Sequence, residues 1–196
     1  MAVIHTRPEE LKQLWNKYSN PEVVVFYSQK DRDLGCFSNF YNHSEIQMTI
    51  PEWCGIFGNQ CISFNFSEKA IMLCKASLMG DKESFKLIMK AQSPIEAKHM
   101  GRKVTPFDQN KWNKYVCSIA KAVIIAKFSQ LQKEKKTLIS TNNSLIAEAS
   151  RHDNIWGIGM GVNHPYNKNP LRWKGTNILG WALMEAREYL KNRNGN

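Results

Sequence analysis

The stretch NKWNKYVCSIAKAVIIAKFSQ, residues 110–130, is apolar on most sides when wound as a helix. A helix with one apolar stripe can lie on a surface, but one that is apolar nearly all round has to be enclosed by other elements. This segment is therefore expected to be the central helix, with the rest of the chain packed around it. The chain's 196 residues suffice for one domain with a sizeable core. Its 42% hydrophobic and 22% charged residues suit a globular protein and not a disordered one. No repeat and no Pro/Ser-rich linker divides it, so a single domain is expected, with a core over about 22–192.

The flanking segments give the fold class. EVVVFYS (22–28) is β-branched and aromatic, while SEIQMTI (44–50) and QCISFNF (60–66) alternate apolar and polar residues. The expectation is three strands in one small, early sheet. Beyond Phe66 the period becomes helical. Helices are expected over 67–80, with Ser67 as N-cap and Gly80 past the end, and over 81–91 from an Asp81 cap. A third covers 93–101, capped by Ser93, opened by Pro94 and stopped by Gly101. Further helices are expected over 131–140, 143–150 and 176–192, and a short one over 8–18. The class is α+β, predominantly helical.

The net charge of +10, from 27 Lys and Arg against 17 Asp and Glu, favours anionic partners such as nucleic acid or nucleotide phosphates. The tail at 192–196 is basic. No helix-turn-helix, zinc-finger or RNA-binding signature accompanies this charge. Five cysteines without a CxxC pair argue against a disulfide framework and a zinc site. The histidines show no metal-binding spacing. No apolar run reaches the roughly 18–20 residues of a membrane span, and the first residues lack a signal-peptide core. The expectation is a reduced, cytoplasmic protein that binds no metal and no membrane.

Several residues stand where chemistry is possible. Glu68 and Lys75, seven positions apart, leave one face of a helix about 10.5 Å apart along its axis; a surface glutamate and lysine would look the same in sequence. Lys98 and Arg102 are spaced i, i+4 at a helix end, where cations also serve the helix dipole. Phe37, Ser38, Asn39 and Phe40 offer aromatic faces beside an amide, suited to a flat heterocycle or a ribose, or else to a loop tucked onto the core. Asn177 precedes the last helix, whose free N–H groups would suit a phosphate. In DNIWGIGMG (153–161), Asp153 and Trp156 lead into Gly157, Gly159 and Gly161. Alternate glycines let backbone approach closely, to a ligand or around a tight bend.

Four pieces in fixed order, CFSNFY, SEKAIMLCKA, SPIEAKHMGR and DNIWGIGMG…WKGTNILGWALMEAREYL, resemble the NADAR superfamily, the YbiA-like N-glycosidases. Matching positions also include Ala97, Gly101, AKFSQ (126–130), Glu148, Gly175, Gly180, Leu183, Met184 and Arg187, and the likeness spans about 24–191. The chain departs from the pattern in three places. KAIMLC between Glu68 and Lys75 lacks the usual aromatic residues and glutamine, the approach PEWCGIFGNQCISFNF (51–66) is longer, and VNHPYNKNPLR (162–172) extends the glycine-rich loop.

The resemblance implies hydrolysis of an N-glycosidic bond on an ADP-ribose-like or ribose-phosphate-like substrate, with no cofactor. Removal of ADP-ribose from guanine in DNA is expected first, with ribosylated riboflavin-pathway intermediates as an alternative. It implies that Glu68 is the catalytic carboxylate and that Lys75 or Lys98 acts at the sugar. Phe37, Ser38, Asn39, Phe40, Arg102, Asp153, Trp156, Gly157, Gly159 and Asn177 would bind substrate, the glycine-rich loop wrapping ribose and pyrophosphate. Two other classes remain: a non-catalytic module that binds NAD or ADP-ribose, and a nucleic-acid-binding protein.

Overall fold

A computed structural model describes residues 22–193; the helix expected over 8–18 and the end of the basic tail lie outside the described residues. The central helix forms as expected, as α4 (Gln109–Gln130), started by Asp108, whose side chain accepts from Lys111 N–H. It serves two cores at once. Val116, Ala120, Ile124 and Phe128, each four residues apart, join one apolar cluster, and Ile119 and Val123 join another. Spacings of three and four place these sets on neighbouring faces of one helix.

The first core contains β1 (Val23–Phe26), β4 (Leu145–Glu148) and the last helix, α6 (Ile178–Arg193). The second contains the hairpin strands β2 (Ile46–Thr49) and β3 (Cys61–Phe64) and helix α1 (Ser67–Met79). Helices α2 (Lys82–Met89) and α3 (Pro94–Arg102) pack on α1, and α5 (Gln132–Ser140) follows α4. The class is α+β and mainly helical, as expected.

Strand pairing differs from the single three-stranded sheet expected. β2 and β3 pair antiparallel, but β1 pairs parallel with β4, with Val23 opposite Leu145 and Phe26 opposite Glu148. Residues 143–150, expected to be helical, supply that strand. Leu, Ala and Glu are good helix formers, but propensity is a weak prior that tertiary burial overrides; Leu145, Ile146 and Ala147 are all buried, the unbroken apolar run of a parallel strand covered on both faces. The longer approach at 51–60 closes the β2–β3 hairpin. It folds over the C-terminal half of α1 and onto α2, with Phe57 N–H donating to Ser77 Oγ and the Phe57 ring stacked on Phe85 at 4.0 Å.

Two helix ends also depart from expectation. Ser67 is the first helical residue of α1 and its hydroxyl caps nothing; the Asn39 carbonyl instead accepts Glu68 N–H. Gly101 does not stop α3, which runs on to Arg102. It is needed there because a Cβ would strike the Met72 side chain, so glycine sets how closely α3 approaches α1. Gly80 does end α1, in the left-handed conformation, and Asp81 and Ser93 cap α2 and α3.

Close approach also fixes α6 against β4. A Cβ on Gly180 would overlap the Ile146 carbonyl oxygen and the Asn177 amide. Gly180→Ala is expected to lower stability by roughly 1–3 kcal/mol through overpacking. Urea unfolding measures this; an unchanged midpoint would mean that α6 does not seat as described.

Candidate active site

Charged side chains from three elements meet at one cleft of ≈ 500 Å³. Helix α1 brings Glu68 and Lys75, α3 brings Lys98 and Arg102, and the loop after β4 brings Asp153 and Trp156. The seven-residue spacing of Glu68 and Lys75 thus puts both on the cleft wall, and the cations of α3 face them across it. Met72, from the segment that lacks the usual aromatic residues, adds apolar surface to the cleft beside Trp112, Ile155 and Trp156.

Glu68 is buried at the first turn of α1. Burial pushes its carboxyl up to about 7, and nearby Asp153 adds to the rise; Lys98, Arg102 and Lys75 oppose it. Removing a charge from water favours the neutral acid, and three cations keep the ionised form within reach of neutral pH. Lys75 donates to the Gly101 carbonyl at 2.7 Å and lies 4.5 Å from the Phe107 ring centroid. Burial lowers its pKa, Arg102 lowers it further, and Glu68 opposes the change. Lys98 lies 5.5 Å from the Phe40 ring centroid.

A second acid sits behind the first. Glu148 ends β4, and its carboxyl is raised to about 8 by burial and by Asp153 and Glu68, with Lys98 opposing. Its Oε2 is buried without a hydrogen-bond partner. The sequence reading matched Glu148 to the family pattern but assigned it no chemistry. One acid closing the apolar run LIA was the available signal, and reading the segment as helix concealed it. In parallel sheets the carboxyl ends of strands are where ligands gather.

The remaining sequence-predicted residues separate into wall and scaffold. Asn39 and Phe40 approach the site, Asn39 through its carbonyl to Glu68 N–H and Phe40 through Lys98. Phe37 does not; it is wholly buried, edge-on to Phe26 at 5.5 Å and Phe128 at 6.1 Å. Ser38 holds its own loop, its hydroxyl accepting Phe40 N–H and its carbonyl accepting from buried Lys127 at 3.1 Å. Asp153 lines the cleft while one of its oxygens accepts Ile155 and Trp156 N–H, fixing the turn. Trp156 lines the cleft and wedges between both cores.

Gly157, Gly159 and Asn177 are not on this wall. Gly157 packs against the Glu148 carbonyl, and Gly159 has φ +68° beside Lys174 and Gly175, so much of the close approach that the glycines permit is to the protein's own backbone. The phosphate site expected at the start of α6 is not formed. The N–H groups of Asn177, Ile178 and Leu179 donate to the carbonyls of Gly157, Ile155 and Trp156, and the Asn177 side chain is engaged with β4. Among the described residues no group of His, Cys, Asp and Glu is arranged to hold a metal ion. Among the described residues no helix is long and apolar enough to cross a membrane.

Comparison with known proteins places this architecture among characterised chains. The family model for the NADAR domain matches residues 25–191. An N-glycosidase of Acanthamoeba polyphaga mimivirus is 37% identical over 131 residues, covering 67% of this chain and 77% of that protein. Protein irg-1 of Caenorhabditis elegans is 32% identical over 175 residues, covering 87% of this chain and 80% of its own. The solution structure of Escherichia coli YbiA superposes with a TM-score of 0.67 at 25% identity, over 90% of this chain and 89% of the other.

The enclosed carboxyl oxygen of half-buried Glu148 has a cost that depends on pH. A carboxyl raised from 4.5 to about 8 holds its proton more tightly when folded than when unfolded. Its effect on stability is therefore absent below about 4.5, and stability falls as pH rises from there through about 8. Glu148→Gln removes the ionisation. The variant is expected to exceed the parent by about 1–3 kcal/mol above pH 8 and to match it near pH 4. Urea unfolding at both values tests this; an equal difference at the two would reject burial of a charge as the cause.

Proposed function

Because the chain belongs to the NADAR domain family, we propose that it is an N-glycosidase, a hydrolase that cleaves the bond between a sugar C1′ and a nucleobase nitrogen. The observation that carries this reading is the placement of Glu68, a buried carboxylate poised near pH 7 on the wall of a cleft lined by Lys75, Lys98 and Arg102. The names of the mimivirus and Escherichia coli relatives, both N-glycosidases, support the same reaction class.

The chemistry follows from charge. As the C1′–N bond breaks, its electron pair leaves with the base and positive charge grows at C1′. A carboxylate fixed beside that carbon stabilises the transition state. Glu68 in its ionised form supplies the charge and then accepts the proton of the water that adds to C1′. The departing base takes a proton from Lys75, the proton held by Glu68 then passes to Lys75 through solvent, and the sum is one water consumed, one free base and one hemiacetal sugar formed. Burial and Asp153 raise the Glu68 carboxyl, while Lys98, Arg102 and Lys75 hold it near neutrality.

The favoured substrate is ADP-ribose linked to guanine in DNA. The +10 net charge and the three cations on the cleft wall support an anionic, polymeric substrate. The same cleft chemistry serves a small ribosylated metabolite, and comparing cleavage of a modified oligonucleotide with that of the matching free nucleotide separates the two. Equal efficiencies with equally flat salt dependence would select the small metabolite.

Glu68→Gln keeps the shape and removes the charge. Turnover is expected to fall by roughly 10²–10⁴-fold while the fold survives. With Glu68 ionised in the working enzyme, kcat/KM should rise as pH climbs through about 7. Base release followed by chromatography measures both, and a variant with near-normal turnover would remove Glu68 from the mechanism.

One observation favours a covalent variant of this route. The lowered pKa of Lys75 increases the share of neutral amine, the form that attacks carbon. In that variant Lys75 Nζ bonds to C1′ as the base departs with the proton, the ring opens to an imine, and water then hydrolyses the imine. Borohydride added during turnover would reduce the imine to a stable amine. Mass spectrometry is expected to find a sugar adduct on Lys75, with Lys98 as the other candidate. No adduct under several conditions would return both lysines to proton transfer and phosphate contact.

A further inference from the structure

We infer that Lys127, on α4 and away from the cleft, is a positioning residue for the reaction: it clamps the turn Ser38–Tyr41, and that turn seats Glu68 and Lys98. The catalytic part of this role rests on the N-glycosidase reading; the clamp itself does not.

Lysine is almost never fully enclosed unless it is paired. Lys127 is wholly buried, its Nζ 5.4 Å from the Tyr41 ring centroid and 5.3 Å from that of Phe128. Taking an ammonium out of water is costly, and the usual compensation is a hydrogen-bonded carboxylate. Among the described residues no acid forms an ion pair with Lys127. Burial lowers its pKa to about 8, with Cys36 and Glu134 opposing, so the charged form still predominates at pH 7. Glu134 accepts from the Tyr41 hydroxyl at 3.2 Å. The hydrogen bond of the buried cation goes to a backbone carbonyl, that of Ser38 at 3.1 Å, 89 residues earlier in the chain.

What that carbonyl holds decides the use of the bond. It also accepts Tyr41 N–H at 3.2 Å, which closes a β-turn. The two residues inside the turn are the ones that meet the site. The Asn39 carbonyl accepts Glu68 N–H at 3.1 Å, and the Phe40 ring centroid lies 5.5 Å from Lys98 Nζ. Glu68 is in the first turn of α1, where an N–H has no partner within the helix, and no side chain caps that end. Asn39 therefore ties the start of α1 to the turn, and Lys127 ties the turn to the central helix. Lys98, Arg102 and Lys75 are the cations that act on the Glu68 charge, so Lys127 works through the backbone and not through its field. A displacement of about 1 Å at a reacting group can cost on the order of 10²-fold in rate.

Lys127→Met removes the donor and keeps the length of the side chain; Lys127→Gln keeps a donor but is one bond shorter. Replacing a buried cation by an apolar side chain is often tolerated, and urea unfolding verifies the fold of each variant. If Lys127→Met does not fold, Lys127→Gln carries the test. Amide hydrogen exchange on the full chain, followed by NMR, reads the clamp. The Glu68 and Tyr41 amides are expected to exchange roughly tenfold faster or more in the variants, while those of Trp156 and the middle of α1 keep the parental rate. On a cleaved N-glycoside kcat should fall roughly 10–100-fold, with KM changed by less than about threefold. Added to Glu68→Gln, the same substitution should cost less than about threefold, because the group being positioned is already lost.

Local loss of protection at Glu68 and Tyr41 together with this non-additivity supports the assignment. Parental exchange at both amides overturns the clamp, and so does faster exchange throughout the chain, which marks lost stability and not a released turn. An equal fractional loss of kcat with Glu68 present or replaced overturns the positioning role, since a smaller folded fraction lowers both backgrounds alike. If the parent cleaves no N-glycoside but the local exchange result holds, the glycosidase reading fails and the clamp stands.

Discussion

The side-chain amide of Asn177 joins the elements on which the site depends. Its Oδ1 accepts Glu148 N–H at 3.0 Å and its Nδ2 donates to the Ile146 carbonyl at 2.8 Å, so one side chain completes the outer edge of β4. Its own backbone N–H donates to the Gly157 carbonyl, and its carbonyl accepts from Trp181 in the first turn of α6. Asn177 does this from a left-handed backbone, φ +54°, a conformation that asparagine tolerates better than most residues. Buried backbone groups have to be paired, and here a single wholly buried residue pairs those of strand, loop and helix. Glu148, the turn at Asp153 and the wall at Trp156 are held in mutual register through it.

Around that junction the fold accepts unfavourable electrostatics. Glu68 is buried and Glu148 half-buried with one carboxyl oxygen enclosed; Glu68 raises the pKa of Glu148, and Asp153 raises both. Lys98 opposes the rise at each of them, with Lys75 and Arg102 adding to the effect at Glu68. Burial wins over attraction, since both acids end well above their ordinary value. An isolated buried carboxylate would stay neutral at all working pH values, and an exposed one would be ionised throughout. The intermediate balance leaves Glu68 able to carry charge or a proton near neutrality, which is what chemistry at a glycosidic carbon requires.

The central helix explains how such a cleft can exist in a chain of this size. By giving neighbouring faces to two cores, α4 holds the β1–β4–α6 unit beside the hairpin and α1. Trp112 and Trp156 pack against both cores and both line the cleft at Glu68. The acids therefore sit where two packed units meet, Glu68 from one and Glu148 and Asp153 from the other. Rigid elements on either side fix their spacing more closely than loops alone would.

Local chemistry was legible in the sequence. The apolar girth of 110–130 marked the central helix, Asp81 and Ser93 marked starts, and Gly80 marked an end, because each of these depends on near neighbours along the chain. The spacing of Glu68 and Lys75 put them on one face for the same reason. Long-range pairing was not legible. β4 read as helix because its strand character comes from lying beside β1, more than a hundred residues earlier, and from burial on both faces. Gly101 read as a stop because nothing near it in sequence reveals Met72 across the helix interface. The donors at the start of α6 read as free for a phosphate, and only tertiary structure shows the carbonyls of 155–157 already occupying them. Composition and period thus determined which segments are apolar, where most helices begin and which residues could carry charge. Tertiary structure decided which of those charges meet, since burial and proximity, and not residue type, set the state of Glu68 and brought Glu148 behind it.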